Sequence, residues 1–309
     1  MPTSVRIVVV GSLNMDFVVQ VEHLPSPGET VLGRGFQMIP GGKGANQAYA
    51  AARLGGSVAM IGRVGYDLFA DHLKASLSSA GVDVSAVHAS RGEPTGVALI
   101  WVDRLGQNSI VVAAGANGDL GTGDVEAMRS VFRGAGWALL QLESPIQTVE
   151  AALGVARQEG LRTVLDPAPA QPLRRELFEH VDILTPNESE ALLLLGRPPA
   201  RVSVEDCPGL SSQLRSLGCR TVILKLGDRG CYVESDEISR HIPSFPVEAV
   251  DSTAAGDTFN AALAVALCEG QPMDQAARFA NAAAAISVTR MGAQASAPGR
   301  DETMALLLP

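Results

Sequence analysis

The chain has 309 residues, of which 46% are hydrophobic, and carries a formal net charge of −9. This composition can bury a large core. The acidic balance argues against binding to nucleic acids or anionic membranes, which recruit basic surfaces. The four cysteines lie far apart with no Cys-x-x-Cys pair, so no zinc site or disulfide framework is expected. The first residues lack the apolar core of a signal peptide, and we expect a cytoplasmic protein.

The N-terminal third mixes strands with turns. The β-branched run from Val5 to Val10 predicts a buried central strand, which ends at Gly11. Four short alternating stretches outside the main pattern predict a second, smaller sheet, built from about residues 14–21, 30–40, 95–103 and 109–113. We expect this sheet to be a lid that covers a cleft or a partner, within one domain spanning residues 1–309.

From residue 124 onward, strands and helices alternate regularly. The predicted strands are 137–142, 163–165, 181–184 and 221–226, and the predicted helices are 124–133, 145–159, 172–179, 187–195, 203–217, 255–269, 272–289 and 301–308. Such alternation predicts an α/β fold with a mostly parallel sheet and helices on both faces. Ligands of such sheets bind beyond the carboxyl ends of the strands.

Polar residues follow the predicted strands at these carboxyl ends. They are Asn14 and Asp16, Glu143, Asp166, Asn187 to Glu190, and Gly227 to Gly230. Each signal alone is weak, because such residues are common where strands turn into loops. Asn187 is also a plausible helix N-cap, with Glu190 completing a capping box, and this alternative stays open.

A glycine-rich turn at residues 41–48 runs into a helix. Its glycines allow the backbone to approach a ligand closely, and Lys43 and Asn46 can donate hydrogen bonds. The spacing does not match a Walker phosphate loop, since Gly44 follows Lys43 where Ser or Thr is needed. The alternative is a helix entry with incidental glycines.

The stretch Val250–Phe259 joins extended chain, residues 242–250, to an alanine-rich helix. Ala254, Ala255 and Gly256 lie where the turn meets the helix, so their backbone N–H groups can face an anion. Asp257 follows directly. A carboxylate beside an anion site can act as the base for a hydroxyl that attacks a phosphoryl group. It can equally be a helix N-terminal acid that only stabilises the dipole.

Taken together, these sequence motifs are similar to those of a known protein family. The chain resembles the ribokinase, or phosphofructokinase-B-like, family of carbohydrate kinases over about residues 5 to 300. The motifs are Gly11-Ser12-Leu13-Asn14-Met15-Asp16, Gly41 to Ala48, Gln141 to Pro145, Thr185 to Glu190, Asp251 to Phe259 and Val288 to Ser296. The resemblance implies a Rossmann-like domain with a small β lid. It also implies transfer of the γ-phosphoryl group of ATP, with Mg²⁺, to the 5-hydroxyl of ribose.

The resemblance also implies roles for individual residues. The catalytic base is Asp257, and the anion hole is the backbone of Ala254, Ala255 and Gly256. Sugar contacts are implied for Asn14, Asp16, Gly42, Lys43, Asn46, Glu143 and Asp257. Nucleotide contacts are implied for Asn187, Lys225, Gly227, Asp228, Arg229, Gly230, Gly256 and Asn281. A monovalent cation, usually K⁺, is implied beside Asp251, Thr253, Ser287, Arg290, Gly292 and Ser296, and Mg²⁺ beside Asn187 and Glu190.

Three positions depart from the family pattern. Lys225 stands where Thr is frequent and Asp228 where Ser is frequent, and both concern the nucleotide loop. Ser252 replaces a usual Thr.

Two other functions compete with a ribose kinase. One is a kinase for deoxyribose, a nucleoside or another furanose sugar. Asn14 with Asp16 favours ribose over deoxyribose, since a missing hydroxyl leaves these groups unpaired. The other is a non-catalytic sugar-binding regulator, against which the presence of Asp257 argues. We also predict a homodimer formed through the lid sheet.

Overall fold

A computed structural model describes residues 6–308. Its strands are β1 (Arg6–Val10), β2 (Asn14–Gln20), β3 (Arg34–Gly41), β4 (Ser57–Val64), β5 (Asp83–Ala89), β6 (Gly96–Val102), β7 (Asn108–Ala113), β8 (Ala135–Leu140), β9 (Arg162–Leu165), β10 (Ile183–Leu184), β11 (Thr221–Lys225), β12 (Cys231–Glu234) and β13 (Ser239–Ile242). Its helices are α1 (Lys43–Arg53), α2 (Leu68–Ser79), α3 (Thr122–Ala127), α4 (Arg129–Phe132), α5 (Ile146–Gln158), α6 (Arg175–Phe178), α7 (Glu188–Leu194), α8 (Cys207–Arg215), α9 (Ala255–Cys268), α10 (Met273–Ser287) and α11 (Arg300–Leu307).

The main sheet has nine strands in the order β13-β12-β11-β10-β9-β8-β1-β4-β5. All pairs from β11 to β5 are parallel, and β12 and β13 add an antiparallel edge. The predicted, mostly parallel sheet is therefore confirmed. Val5, the predicted first residue of the central strand, lies outside the described residues.

Both faces of the main sheet are covered by helices. Along β1, Ile7 and Val9 pack in a core with α1, α2, α9 and α10, whereas Val8 and Val10 pack in a core with α3, α5 and α8. This alternation follows from the period of two along a strand, and burial on both faces explains the continuous β-branched sequence. The carboxyl ends of β1, β8, β9, β10 and β11 thus share one edge of a rigid layer.

The second sheet, here called the lid sheet, has four strands in the order β3-β2-β6-β7. β2 pairs antiparallel with β3 and parallel with β6, and β7 closes a hairpin with β6. The predicted small sheet is confirmed, although its second strand begins at Arg34, so residues 30–33 are not part of it.

Several predicted elements differ from the structure. β5 (Asp83–Ala89) was not predicted, because its sequence is too polar to read as a buried strand. Asn14 and Asp16 belong to β2 of the lid sheet, not to the end of β1. The stretch 243–250 is irregular, since prolines at 243 and 246 interrupt it after β13 ends.

No helix among residues 6–308 has the length and apolarity needed to cross a bilayer.

Several predicted helices are shorter or split. The helix predicted at 124–133 is two short helices, α3 and α4. The helices predicted at 172–179 and 203–217 shrink to α6 and α8, and prolines at 172 and 208 help to set where they can begin.

Candidate active site

Asp257 occupies the first turn of α9 and is buried. Its carboxylate accepts hydrogen bonds from two side chains of α1, Asn46 Nδ2 at 3.2 Å and Gln47 Nε2 at 3.1 Å. Because α1 and α9 pack side by side, the two amides fix the carboxylate without neutralising it. Asp257 also lines a cavity, so one side of the carboxylate can meet a ligand.

The pKa of Asp257 is raised from 3.8 to about 6. Burial is the main cause and the charge of Asp166 adds to it, whereas Lys43 and the two amide donors act in the opposite direction. A carboxyl group with this pKa is mostly ionised at neutral pH and is a stronger base than an exposed aspartate. These properties go beyond a dipole-stabilising acid, which needs no burial.

The turn before α9 has a strained backbone. Ala254 has φ 57° and ψ 15°, and it is the one non-glycine residue with positive φ among residues 6–308. The Ala255 N–H is bonded to Ser252 O, and the N–H groups of Gly256 and Asp257 follow in the first helical turn, where intrahelical acceptors are lacking. Such strain at a helix N-terminus is typical of an anion-binding turn.

A first cavity of about 430 Å³, here the central cavity, surrounds this turn. Its charged and polar lining includes Lys43, Asp166, Asn187, Glu190, Lys225 and Asp257. Asn187 and Glu190 form the predicted capping box of α7: Glu190 N donates to Asn187 Oδ1 at 2.8 Å, and Asn187 N donates to Glu190 Oε2 at 2.7 Å. Burial raises the pKa of Glu190. Among the described residues, no three His, Cys, Asp or Glu side chains are grouped to hold a metal ion.

A second cavity of about 470 Å³, here the outer cavity, adjoins the central one. Predicted site residues in its lining are Lys225, Gly227, Asp228, Gly230, Gly256 and Asn281. Apolar side chains such as Phe245 and Val247 form much of the remaining wall. Arg229 lies elsewhere: its guanidinium pairs with Glu188 at 2.7 Å and donates to Val202 O. The structure therefore does not bring the Arg229 side chain to either cavity.

On the other side of Asp257, the lid sheet contributes Asn14 and Asp16. Asn117 holds Asn14 in place through a 2.8 Å hydrogen bond to its Oδ1. The pKa of Asp16 is raised to about 7 by burial and by the charges of Glu143 and Asp257. Asp16 lines a third cavity of about 330 Å³, the lid cavity, between the lid sheet and the loop 249–253.

The start of α1 completes this side. Gly42 has φ 89°, and a Cβ there would lie 2.7 Å from Asn14 N, so only glycine fits. Glu143 accepts from Lys43 N at 3.0 Å and from the Ser12 hydroxyl. Burial lowers the pKa of the Lys43 ammonium, but the surrounding carboxylates outweigh it and hold this pKa above its usual value.

The side-chain amide of Asn46, beside Asp257, is only partly hydrogen-bonded. Its Nδ2 donates to Asp257, but its Oδ1 is buried and has no hydrogen-bond partner among residues 6–308. Buried acceptors are normally satisfied. A hydroxyl donor bound beside Asp257 would satisfy this oxygen.

The residues predicted to hold a monovalent cation lie in two adjacent loops. Asp251 accepts from Thr253 N at 2.9 Å and Thr253 Oγ1 at 2.6 Å, and from Gly292 N at 2.8 Å. Ser287 and Ser296, which lie on either side of Gly292 in the sequence, are fully buried. The Arg290 side chain turns away and pairs with Glu302 of α11, so only its main chain is left for such a site.

Sequence reasoning assigned no specific role to several residues that the structure places here. Gln47 donates to both Asp257 and Asp166, and Gln141 donates to Gln47 Oε1 at 2.7 Å. Asp166 accepts from Lys225 Nζ at 2.9 Å. Their positions in the sequence were the signal that could have identified them, because Gln47 directly follows Asn46 and Asp166 directly follows β9.

The fold, the buried carboxylate and the strained turn define a class of small-molecule kinases. Residues 5–300 match the pfkB family of carbohydrate kinases, and the chain belongs to this family.

Individual relatives agree with this assignment. The chain is 43% identical to a ribokinase of Haemophilus influenzae over 299 residues, which cover 97% of each protein. It is 33% identical to a deoxyribokinase of Salmonella typhi, with 96% of each chain covered. Its fold matches the structure of Arabidopsis thaliana ribokinase complexed with ribose and ATP with a TM-score of 0.89 at 35% identity, covering 99% of each chain.

Proposed function

We propose that the chain catalyses ATP-dependent phosphorylation of D-ribose at its 5-hydroxyl, yielding ribose 5-phosphate and ADP. One observation carries this proposal: the buried carboxylate of Asp257 lies directly beside the strained turn of residues 254–256. The proposed sugar contact Lys43 lines the central cavity with Asp257, and Gly256 lines both the central and the outer cavity. This arrangement puts a base and an anion-binding turn next to adjoining cavities.

The reaction follows from these positions. Asp257 accepts the proton of the sugar hydroxyl as the hydroxyl oxygen forms a bond to the γ-phosphorus, and the bond from that phosphorus to the β–γ bridging oxygen breaks. The N–H groups at the start of α9 stabilise the charge on the phosphoryl oxygens. Asn46 and Gln47 keep the carboxylate aimed during the transfer.

The sugar site is formed by Asn14, Asp16, Gly42, Lys43, Asn46 and Glu143. Carboxylate and amide oxygens accept from sugar hydroxyls, and Lys43 donates to them. The orphaned Asn46 Oδ1 fits a hydroxyl donor. Asp16 belongs to the lid sheet and lines the lid cavity, so the sheet that binds the sugar also shields it from water.

ATP and Mg²⁺ fit the remaining residues. The apolar wall of the outer cavity suits a base, and its junction with the central cavity suits phosphates. Mg²⁺ binds proteins through one or two carboxylates plus phosphates and water, and this mode fits Glu190 with Asn187. When bound, Mg²⁺ neutralises charge on the phosphate oxygens.

A monovalent cation, K⁺ in our proposal, fits the loops that contain Asp251 and Gly292. The donor set is all oxygen: one carboxylate, hydroxyls of Thr253, Ser287 and Ser296, and main-chain carbonyls. Hard cations prefer such ligands. Binding there would order residues 251–254 and hence the anion-binding turn.

Two further proposals concern the whole protein. The outer face of the lid sheet exposes apolar side chains, and we propose that it pairs with a second copy of the chain. We also propose a cytoplasmic location, because a reducing compartment suits the four free cysteines and supplies ATP.

A sugar panel tests the proposed reaction. ADP formation would be measured with ATP, Mg²⁺ and K⁺ for ribose, 2-deoxyribose, other furanose sugars and nucleosides. We expect the highest kcat/KM with ribose, because Asn14 and Asp16 lose hydroxyl partners with 2-deoxyribose. Preference for 2-deoxyribose would favour the alternative kinase, and ribose binding without any ADP formation would favour a non-catalytic regulator.

A further inference from the structure

Lys225 lies at the junction between the central and outer cavities. It is the last residue of β11, and its backbone N–H donates to Pro186 O at 2.8 Å. Four residues line both cavities: Lys225, Gly227, Ser252 and Gly256. Lys225 is the charged member of this set. A polyphosphate that reached from the outer cavity to Asp257 would therefore pass its ammonium group.

A buried carboxylate holds this ammonium in place. Lys225 Nζ donates to Asp166 Oδ1 at 2.9 Å, and the two side chains are 13% and 2% exposed. Asp166 Oδ2 accepts from Gln47 Nε2 at 3.2 Å, and the same nitrogen donates to Asp257 Oδ1 at 3.1 Å. The position of Lys225 is thus fixed relative to the proposed base.

The ammonium has donors left for a ligand. A lysine ammonium carries three N–H donors, and Asp166 is its one hydrogen-bond acceptor within residues 6–308. A Cβ added to Gly256 would lie 3.3 Å from Lys225 Nζ, so the ammonium lies against the turn that begins α9. The free donors and the backbone N–H groups of this turn share one space.

The central cavity has two ammonium groups among its charged side chains. Its charged lining is Lys43, Lys225, Asp166, Glu188, Glu190 and Asp257, and Glu188 is paired with Arg229. The sequence contains only three lysines, and two of them are in this cavity. Lys43 lies at the start of α1 beside the sugar-binding residues, whereas Lys225 is the lysine shared with the outer cavity.

We propose that Lys225 is a further catalytic residue, which binds non-bridging oxygens of the phosphoryl group during transfer, and that Asp166 is its positioning residue. This inference rests on the proposed function. A preorganised cation in a poorly hydrated site stabilises the transferring group without reorganisation.

Substitution of Lys225 by methionine tests the catalytic role, and Lys74→Met on α2 is the matched control. Steady-state kinetics would be combined with calorimetric binding of ADP, with ribose present, in the absence and presence of aluminium fluoride, which mimics the phosphoryl group. We expect K225M to lower kcat and the affinity for the fluoride complex by roughly 10²-fold, with a much smaller effect on ADP alone. K74M should behave like the wild type.

Two results would overturn this role. One is an equal loss of affinity for ADP and for the fluoride complex, which marks a ground-state contact only. The other is a kcat for K225M close to that of the wild type. Wild-type inactivity with every sugar would instead overturn the proposed function itself.

K225M leaves Asp166 buried without its cation, which can destabilise the fold. The double variant K225M/D166N removes both charges and avoids this cost. We expect it to melt near the wild-type temperature and to keep the low kcat. A double variant with wild-type turnover would refute the catalytic role.

Asp166→Asn tests the positioning role, because an amide oxygen can still accept from Lys225. The charged groups near Asp257 lie on β2, α1, α7 and β11 and after β8 and β9, and they are Asp16, Lys43, Glu190, Lys225, Glu143 and Asp166. Of these, Asp166 raises the pKa of Asp257 and Lys43 lowers it. Since the Asp166 charge raises the pKa of Asp257, D166N should move the acid limb of the kcat/KM profile to lower pH.

D166N should also lower kcat by about 10-fold, because the ammonium group of Lys225 would be held less firmly. An unchanged acid limb together with an unchanged kcat would show that Asp166 is only a structural partner, and would refute its positioning role.

Discussion

At the scale of single residues, the central observation is how the Asp257 carboxylate is held and buried. Two amides and one turn hold it, and burial keeps its pKa raised to about 6. An exposed aspartate at a helix N-terminus would be a weaker base and would be less well aimed. Burial therefore gives this acid at a helix N-terminus the basicity that the proposed role requires.

Asp257→Asn removes the base and preserves the shape of the side chain. We expect kcat to fall by roughly 10²-fold or more, because the hydroxyl proton loses its acceptor. Binding of ribose and ADP, measured by calorimetry, should change little. The exposed Asp71→Asn variant on α2 is the control, and turnover of D257N near that of this control would contradict the base assignment.

Asp16 is a buried carboxyl group whose ionisation lowers the stability of the fold. Its pKa rises from 3.8 to about 7 through burial and the charges of Glu143 and Asp257. The folded state thus binds the proton more tightly than the unfolded chain. The stabilisation from that proton is complete below pH 4 and disappears as pH rises through 7.

Asp16→Asn should therefore stabilise the free protein at pH 8, on the order of 2 kcal/mol, and much less at pH 5. Denaturant unfolding at the two pH values measures this difference. Ribose affinity should fall at the same time, because an acceptor for sugar hydroxyls is lost. Equal stability changes at both pH values would show that the Asp16 charge is not the cause.

At the scale of elements, one capping box is also part of a cavity wall. Asn187 and Glu190 close the first turn of α7 and also line the central cavity. The two interpretations left open by the sequence are thus compatible in space. The structural role is visible in the hydrogen bonds, whereas the Mg²⁺ role remains a proposal.

Asn187→Ala and Asn187→Ser separate these roles. Alanine should lower the free energy of unfolding by about 1 kcal/mol, and serine should restore most of it, because its hydroxyl also caps helices. We expect the Mg²⁺ concentration for half-maximal activity to stay raised in both variants. Full recovery of this Mg²⁺ dependence by N187S would leave Asn187 as a cap alone.

The loops around Asp251 and Gly292 predict activation by K⁺. Ordering of residues 251–254 by a cation should fix the turn before α9, so kcat should be several-fold higher in KCl than in NaCl at equal ionic strength. In Asp251→Asn this difference should shrink. Equal rates of the wild type in both salts would remove the basis for this site.

At the scale of the whole molecule, the lid sheet has two distinct faces. By strand register, Asp16, Ala98 and Val112 share the face toward the cleft, and Phe17, Leu99 and Val111 share the opposite face. On the opposite face Phe17 stacks on Phe36, and large apolar side chains are 42–59% exposed at Phe36, Met38, Leu99 and Val111. Such a continuous apolar patch is typical of an interface.

Val111→Glu should convert the proposed homodimer to a monomer, because a charge would be buried at its centre. Light scattering coupled to size exclusion measures the mass. Ile110→Glu is the control on the same strand, since its side chain faces the lid cavity, and it should remain dimeric while its KM for ribose rises. A monomeric wild type would contradict the proposed interface.

The sequence by itself determined the layers and the location of the site. Continuous β-branched runs specified buried strands, and alternation with helices specified a parallel sheet whose carboxyl ends meet at one edge. The turn at residues 254–257 could be predicted because small residues before a helix are a local feature of the sequence. The edge strand β5 was not predicted, because its polar residues resemble those of a loop.

Only the tertiary structure decided which side chains meet at that edge. The series of hydrogen bonds Lys225–Asp166–Gln47–Asp257 joins residues of four separate segments. Arg229 instead pairs with Glu188, although it is only four residues after Lys225. The raised pKa values of Asp16 and Asp257 likewise depend on burial by distant elements. Local patterns encode secondary structure, whereas contacts, burial and charge coupling arise only when remote segments pack together.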